Sequence, residues 1–168
     1  MIMKKIMCAM VFIVMSITMN SCSADSAEGN ENTTATEQVV TSYNYNASEL
    51  ETMQLINEYR VSIGLNALEK NNHISYKCEE HNKYMVSNNV VNHNDFTSRS
   101  DNLINVLGAK KVGENVAYNY KTSEAVLKAW LESPGHKENI EGNYTHFGIS
   151  VTTDATGKKY YTNIFVKI

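Results

Sequence analysis

The sequence predicts an α+β domain, an antiparallel sheet covered by helices. Apolar residues recur at helical spacing through four segments between residues 48 and 134. From Phe147 to Ile168 the period changes to alternation, interrupted by one turn. Helices first and a hairpin last is not the order of a parallel βαβ stack.

The first helix starts at Ser48-Glu49-Leu50-Glu51, read as a capping box with Ser48 at the N-cap. Leu50, Met53, Ile56 and Ile63 form its stripe, Leu55 and Tyr59 flank it, and Gly64 stops it. A second helix over 72–87 carries Ile74, Cys78, His81 and Met85 at spacings of four, three and four. The third, 100–107, presents Leu103, Ile104 and Leu107 and closes at Gly108. The fourth begins near Thr122, presents Val126, Leu127, Ala129 and Trp130, and ends at Pro134-Gly135. Phe147, Ile149 and Val151 then alternate with polar residues, Asp154–Gly157 turns the chain, and Tyr160, Thr162, Ile164, Val166 and Ile168 alternate again.

Of 168 residues, 42% are hydrophobic and 20% charged, a globular mixture for one domain with tails. A net charge of −3 argues against a nucleic-acid surface. Lys4-Lys5 and the uncharged run Ile6–Met19 read as a signal peptide over residues 1–21, too short for a comfortable membrane span. The run ends at Met19-Asn20-Ser21-Cys22, which resembles a bacterial lipobox whose Cys22 is acylated after cleavage. Residues 23–46 hold four acids and no Lys or Arg among Ser, Thr, Asn and Ala, so 22–46 is expected to be an acylated cysteine and a disordered tether. Residues 47–168 remain as the folded domain. The expected location is the bacterial cell envelope, lipid-anchored and facing the periplasm or the cell surface.

No G-x-S-x-G, G-x-G-x-x-G, Walker, H-E-x-x-H or C-x-x-C pattern occurs. Cys78, on the apolar stripe of the second helix, reads as a small buried hydrophobe. Three polar knots interrupt the pattern: Val90-Val91-Asn92-His93-Asn94-Asp95-Phe96, Val112-Gly113-Glu114-Asn115-Val116-Ala117, and Trp130-Leu131-Glu132-Ser133-Pro134-Gly135-His136-Lys137-Glu138-Asn139-Ile140. Two imidazoles and a carboxylate from three segments could bind a divalent metal with an open position, or form an acid–base pair in which Glu114 fixes a ring's tautomer. Asn115 and Asn139 read as structural side-chain-to-backbone donors. His81 reads as a satisfied core histidine, His73 as solvent exposed, His146 as a residue of the cleft rim, and Trp130 as core.

The ordered segments L-I-N-E-Y-R, N-H-N-D-F, G-E-N-V-A, A-W-L-E-S-P-G-H-K-E-N-I and T-H-F-G-I-S-V resemble the CAP superfamily of cysteine-rich secretory, antigen 5 and pathogenesis-related proteins, in its bacterial SCP-domain branch. The resemblance covers Leu50 to Phe165. It implies an α-β-α sandwich, a short antiparallel sheet with helices on both faces. It also implies a cleft lined by His93, Glu114 and His136, with His93 and His136 as ligands of a divalent cation, zinc rather than calcium. The second cleft acid of animal and plant relatives is replaced here by Ser133, and Glu132 is rotated about 100° away. Three functions follow as expectations: a binding module for a metal or small ligand; a metal-dependent peptidase or esterase with Glu114 as acid–base partner; and a carrier of lipid or sterol-like molecules. The expected partners are a membrane, through Cys22, and an unidentified small ligand, peptide or lipid.

Overall fold

The structure, a computed structural model, describes residues 38–168. The expected signal peptide, the acylated Cys22 and the tether up to residue 37 lie outside the described residues. The last stretch expected in the tether, 38–46, is instead a strap bonded to the domain. Val40 N–H donates to His73 Nδ1 (3.1 Å), Asn72 Nδ2 donates to Thr41 O (2.7 Å), and Tyr45 Oη donates to Asn72 Oδ1 (3.2 Å). The reason is local composition: Tyr43 and Tyr45, whose rings meet edge to face at 4.6 Å, bring apolar surface that the preceding polar stretch lacks.

Helix α1 (Ala47–Ser62) is capped by Asn46, not Ser48. Asn46 Oδ1 accepts from Glu49 N–H (3.0 Å) and Glu49 Oε2 accepts from Asn46 N–H (2.8 Å). Glu49 is the residue that can do this because it also accepts from Val151 N–H (2.8 Å) and is thereby buried; Glu51 instead accepts from Ser123 Oγ (2.7 Å). The buried face of α1 is Glu49, Thr52, Met53, Ile56 and Arg60. Leu50 is turned about 100° from Glu49, and Ile63 lies past the helix end, so both are exposed rather than part of the stripe.

Helix α2 (Asn72–Asn88) buries Ile74, Cys78, His81 and Met85, as their spacing predicts. Helix α3 (Phe96–Leu107) begins a turn earlier than expected, behind Asp95, whose φ of 59° makes the entry left-handed and leaves no side-chain cap for a sequence reading to detect. Leu103 is buried on it, but Ile104 is exposed. Helix α4 (Ser123–Glu132) is capped by Thr122, and α5 (Pro134–Ile140) follows with Pro134 in its first turn.

Four strands, β1 (Glu69–Lys70), β2 (Lys111–Tyr118), β3 (His146–Thr153) and β4 (Lys159–Lys167), pair in the order β1-β3-β4-β2. The β3–β4 hairpin is antiparallel as predicted, and β2 runs antiparallel to β4 with Glu114 opposite Ile164. Two-residue β1, too short to carry a periodic signal, adds parallel to β3. Side chains alternate across a strand. One face of the sheet therefore presents Ala117, Ile149, Phe147, Tyr161 and Phe165 to α1, α4 and α5, around the fully buried Trp130. The other presents Glu114, Val116, Ser150, Thr162 and Ile164 toward α2 and α3. This is the α-β-α sandwich. Gly148 lets α2 press onto β3, because a Cβ there would strike the backbone of Ile74 and Ser75.

Candidate functional site

The site grows from three consecutive residues of the edge strand β2. Gly113 has no Cβ, and one built there would come within 2.5 Å of Asn139 Oδ1 and Tyr144 Oη. The missing atom is what lets α5 close on the strand. Asn115, pointing to that same side, donates from Nδ2 to His136 O (3.0 Å) and accepts at Oδ1 from Asn139 Nδ2 (2.9 Å). Asn139 Nδ2 also donates to Glu114 O (3.1 Å). Both asparagines therefore have the structural role their position predicts, and they fix the backbone of His136 against β2.

Glu114 points the other way, toward α2 and α3, and its side chain is 2% exposed. A buried carboxylate needs compensation, and two groups supply it. Arg99 of α3 donates from Nε to Oε2 and from Nη2 to Oε1, both at 2.8 Å, a two-point grip suited to the planar guanidinium. The His93 ring bonds Oε1 through Nδ1, also at 2.8 Å. Burial alone would raise the Glu114 pKa, but the bonds from His93 and Arg99 and the Arg99 charge outweigh it and hold the carboxyl below 4.5. Glu114 is thus an anion, an acceptor only, so His93 must carry its proton on Nδ1. The Nε2 lone pair of His93, on a side chain 48% exposed, is left for a ligand.

Arg99 is a site residue that sequence reasoning missed. In Thr97-Ser98-Arg99-Ser100 it looks like one more solvated charge. A signal was present: of fifteen basic residues only Arg60 and Arg99 are arginines, and both are buried. A chain that builds its surface from lysine reserves the forked cation for places where several oxygens converge.

His136 stands in the layer on the opposite face of β2 from the Glu114 side chain. Its ring is half-buried, and burial, followed by the neighbouring His93, holds its pKa below 6.5. The direct bond of the expected triad is therefore His93–Glu114; His136 is tied to them through the β2 backbone and through the field of His93. Glu132 is exposed and reaches Lys128 (3.8 Å), away from this edge. Other histidines depart from expectation. His73 is buried, its Nδ1 taken by Val40 N–H and its Nε2 by Asn102 Oδ1 (2.8 Å), because the strap and α3 cover it. His146 lies on β3, across β4 from β2, and faces Glu69 at 3.5 Å, so it is not on the rim. His81 is a core residue but only half-satisfied: Nε2 bonds Asn92 O (2.8 Å) while Nδ1 has no partner. Cys78 is fully buried, its thiol pushed up by desolvation and donated to Gly148 O (3.3 Å), the inert residue expected.

Both oxygens of Glu114 are committed, so it is a holder of His93 and not a metal ligand. Among the described residues no group of three or more His, Cys, Asp or Glu side chains stands close enough to hold an ion. The donor set does not fit a three-ligand catalytic zinc. The side chains that could offer nitrogens to a cation are His93 and His136, donors that suit zinc-like metals better than calcium. A carboxylate behind the ligating imidazole is the usual support for such a nitrogen.

A profile of the cysteine-rich secretory protein (CAP) family matches residues 53–166. The chain is 34% identical over 124 residues to YlbC, an uncharacterized membrane protein of Bacillus subtilis (strain 168), a match covering 71% of this chain and 34% of that one. The chain thus spans about a third of that relative's length. Among solved structures, an outer surface protein of Borrelia burgdorferi superposes with a TM-score of 0.66 at 20% identity, over 76% of this chain and 98% of that one, a likeness of fold. An extracellular SCP-domain protein of Bacillus anthracis str. Ames matches with a TM-score of 0.63 at 26% identity, over 76% of this chain and 45% of that one. The sheet order, the Gly113-Glu114-Asn115 strand clasped by α5 and the family match agree: the chain belongs to the cysteine-rich secretory protein (CAP) family.

Proposed function

We propose that this protein is an extracytoplasmic binding module, held at a bacterial membrane through acylated Cys22, whose His93 and His136 take up a divalent cation or a small ligand. The observation that carries this reading is the 2.8 Å bond from His93 Nδ1 to a carboxylate locked by Arg99, which presents Nε2 outward in one tautomer. The address is supported by the lipobox-like Met19-Asn20-Ser21-Cys22, by an extracellular relative and a membrane relative, and by the lack of any described helix long and apolar enough to cross a membrane. Calorimetric titration of the full chain in detergent with zinc tests the site. The wild type binds, and the double variant His93→Ala, His136→Ala loses binding; equal affinity in both overturns the ligand assignment. Palmitate labelling that persists in Cys22→Ser overturns the anchor.

A second reading, carriage of an apolar ligand, has one observation behind it. Leu55 of α1 and Leu127 and Leu131 of α4, rimmed by Glu124, Lys128 and Glu132, line a groove of about 300 Å³ on the outer helical layer. Displacement of a fluorescent fatty acid that is abolished by Leu131→Glu and indifferent to His93→Ala would support this reading. Displacement unaffected by Leu131→Glu would remove it.

A further inference from the structure

We infer that His81 is a positioning residue for His93, acting through the carbonyl of Asn92. His81 lies on α2 and is 2% exposed, with its ring stacked on Tyr84 at 5.8 Å. Its Nε2 lies 2.8 Å from Asn92 O, and a carbonyl can only accept, so the ring proton is on Nε2. That leaves Nδ1 as a buried acceptor without a partner. A phenyl ring would fill the same space without stranding a polar atom. What the imidazole supplies and a phenyl ring cannot is the bond to the residue just before His93.

The loop around His93 is held at both flanks. Asn92 O is fixed from α2 by His81, and Asn94 O from α3 by Arg99 Nη1 (2.7 Å), the same guanidinium that grips Glu114. Asn94 Nδ2 donates to Tyr84 Oη (2.9 Å), Asn94 N–H to Asn92 Oδ1 (3.0 Å), and Phe96 N–H to His93 O (3.1 Å). Arg99 sets the distance from Asn94 to the carboxylate; His81 sets the direction from which the chain enters. Without His81 the Asn92 carbonyl loses its tie to α2, and the ring of His93, half in solvent, loses the fixed approach to Glu114 Oε1. The effect on ligand affinity rests on the function proposed above; the effect on the His93 tautomer does not.

The test is the ring-nitrogen spectrum of the ¹⁵N-histidine-labelled full chain, with zinc as the ligand probe. In the wild type His81 is protonated at Nε2 and His93 at Nδ1. In His81→Phe the His93 signal moves to a mixture of tautomers and zinc binds about tenfold more weakly, the low end for loss of an outer support. His81→Gln, whose amide can donate to Asn92 O, restores both. A His81→Phe protein that keeps the His93 tautomer, or a wild type with His81 protonated at Nδ1, overturns the inference. If His81→Phe does not fold, the wild-type spectrum and His81→Gln decide: a folded His81→Gln with a mixed His93 tautomer also overturns it. A wild type that binds no zinc but shows both tautomers, with His93 disturbed in His81→Phe, removes the metal reading and leaves His81 in its role.

Discussion

The two faces of the sheet are built on different principles. Toward α1, α4 and α5 lies one continuous apolar cluster in which Trp130, Tyr144, Tyr161, Phe147 and Phe165 are almost fully buried. Toward α2 and α3 the apolar residues fall into two smaller groups, around Ile74, Cys78 and Leu103 and around Met85, Val116 and Tyr160. Buried polar side chains share that face. Asn82 donates to Ser150 O (2.8 Å) and Tyr160 O (3.1 Å) and accepts from Thr162 Oγ1 (2.7 Å), while Glu114 is held by Arg99 and His93. The first face holds the domain together chiefly by area removed from water, which is tolerant of direction, alongside the backbone bonds of Glu49, Arg60 and Asn115. The second depends on matched donors and acceptors, which fix direction at the risk of a large penalty if one is lost. Glu114, Arg99 and His93 sit on the directional face at its open edge, with His136 in the layer opposite.

The sharpest way to break the comparison is to injure each face by its own kind of interaction. Trp130→Ala removes the largest side chain of the continuous cluster and its Nε1–H bond to Val116 O (3.2 Å). It is expected to lower stability by about 3–5 kcal/mol in chemical denaturation, with the His93 tautomer unchanged if the fold survives. Glu114→Gln keeps the volume on the directional face but removes the charge that balances buried Arg99. The expected loss is about 3 kcal/mol, the lower end for a buried ion left without its partner. The pH dependence carries the sign. The folded pKa of Glu114 lies below 4.5, so its contribution is complete above the unfolded value and is lost as pH falls through the folded one. Melting curves of the wild type should therefore fall below about pH 4.5 by an amount that Glu114→Gln does not show. Identical acid profiles would mean that the carboxylate is not held as described.

The same contrast explains how much was legible in the sequence. Area-driven packing leaves a periodic trace, so α2, the stripe of α4 and the alternation of β3 and β4 could be read directly. Two competing caps, Asn46 and Ser48, blurred the start of α1, and only the burial of Glu49 under Val151 decides between them. The polar pairings of the directional face leave no period. Glu114 meets Arg99 across fifteen residues and His93 across twenty-one, and neither partner is implied by the local sequence of the other. His93, Glu114 and His136 came from resemblance to a family motif, which says nothing of Arg99's grip. His73 departs from its expected exposure for a similar reason, since the strap that covers it comes from thirty-three residues earlier.

A milder substitution sharpens the claim that the second face is held by matched polar atoms. Thr162→Val keeps the shape of the side chain and removes its hydroxyl, which is why it is not a neutral hydrophobic exchange. Here it leaves buried Asn82 Oδ1 without the 2.7 Å hydroxyl bond. The expected loss is about 1–2 kcal/mol by thermal or chemical denaturation. A neutral or stabilised Thr162→Val would show that the polar seam adds no more than the apolar side chains around it.

The smallest expected effect asks whether the two faces meet at the β2 edge at all. His136 is anchored on the apolar side by Asn115, yet after burial it is His93, from the directional side, that lowers its pKa. A lowered histidine pKa means that the folded chain binds fewer protons than the unfolded one below 6.5, so this residue's contribution to stability shrinks as pH falls from 6.5 through the folded value. Replacing His93 with Ala removes the neighbouring ring that lowers the His136 pKa after burial, and the His136 midpoint should move upward toward 6.5 without reaching it, because burial remains the larger cause. NMR titration of His136 in wild type and His93→Ala reads this directly. An unmoved midpoint would mean that the rings do not feel each other, and a single ligand could not then bridge the two faces.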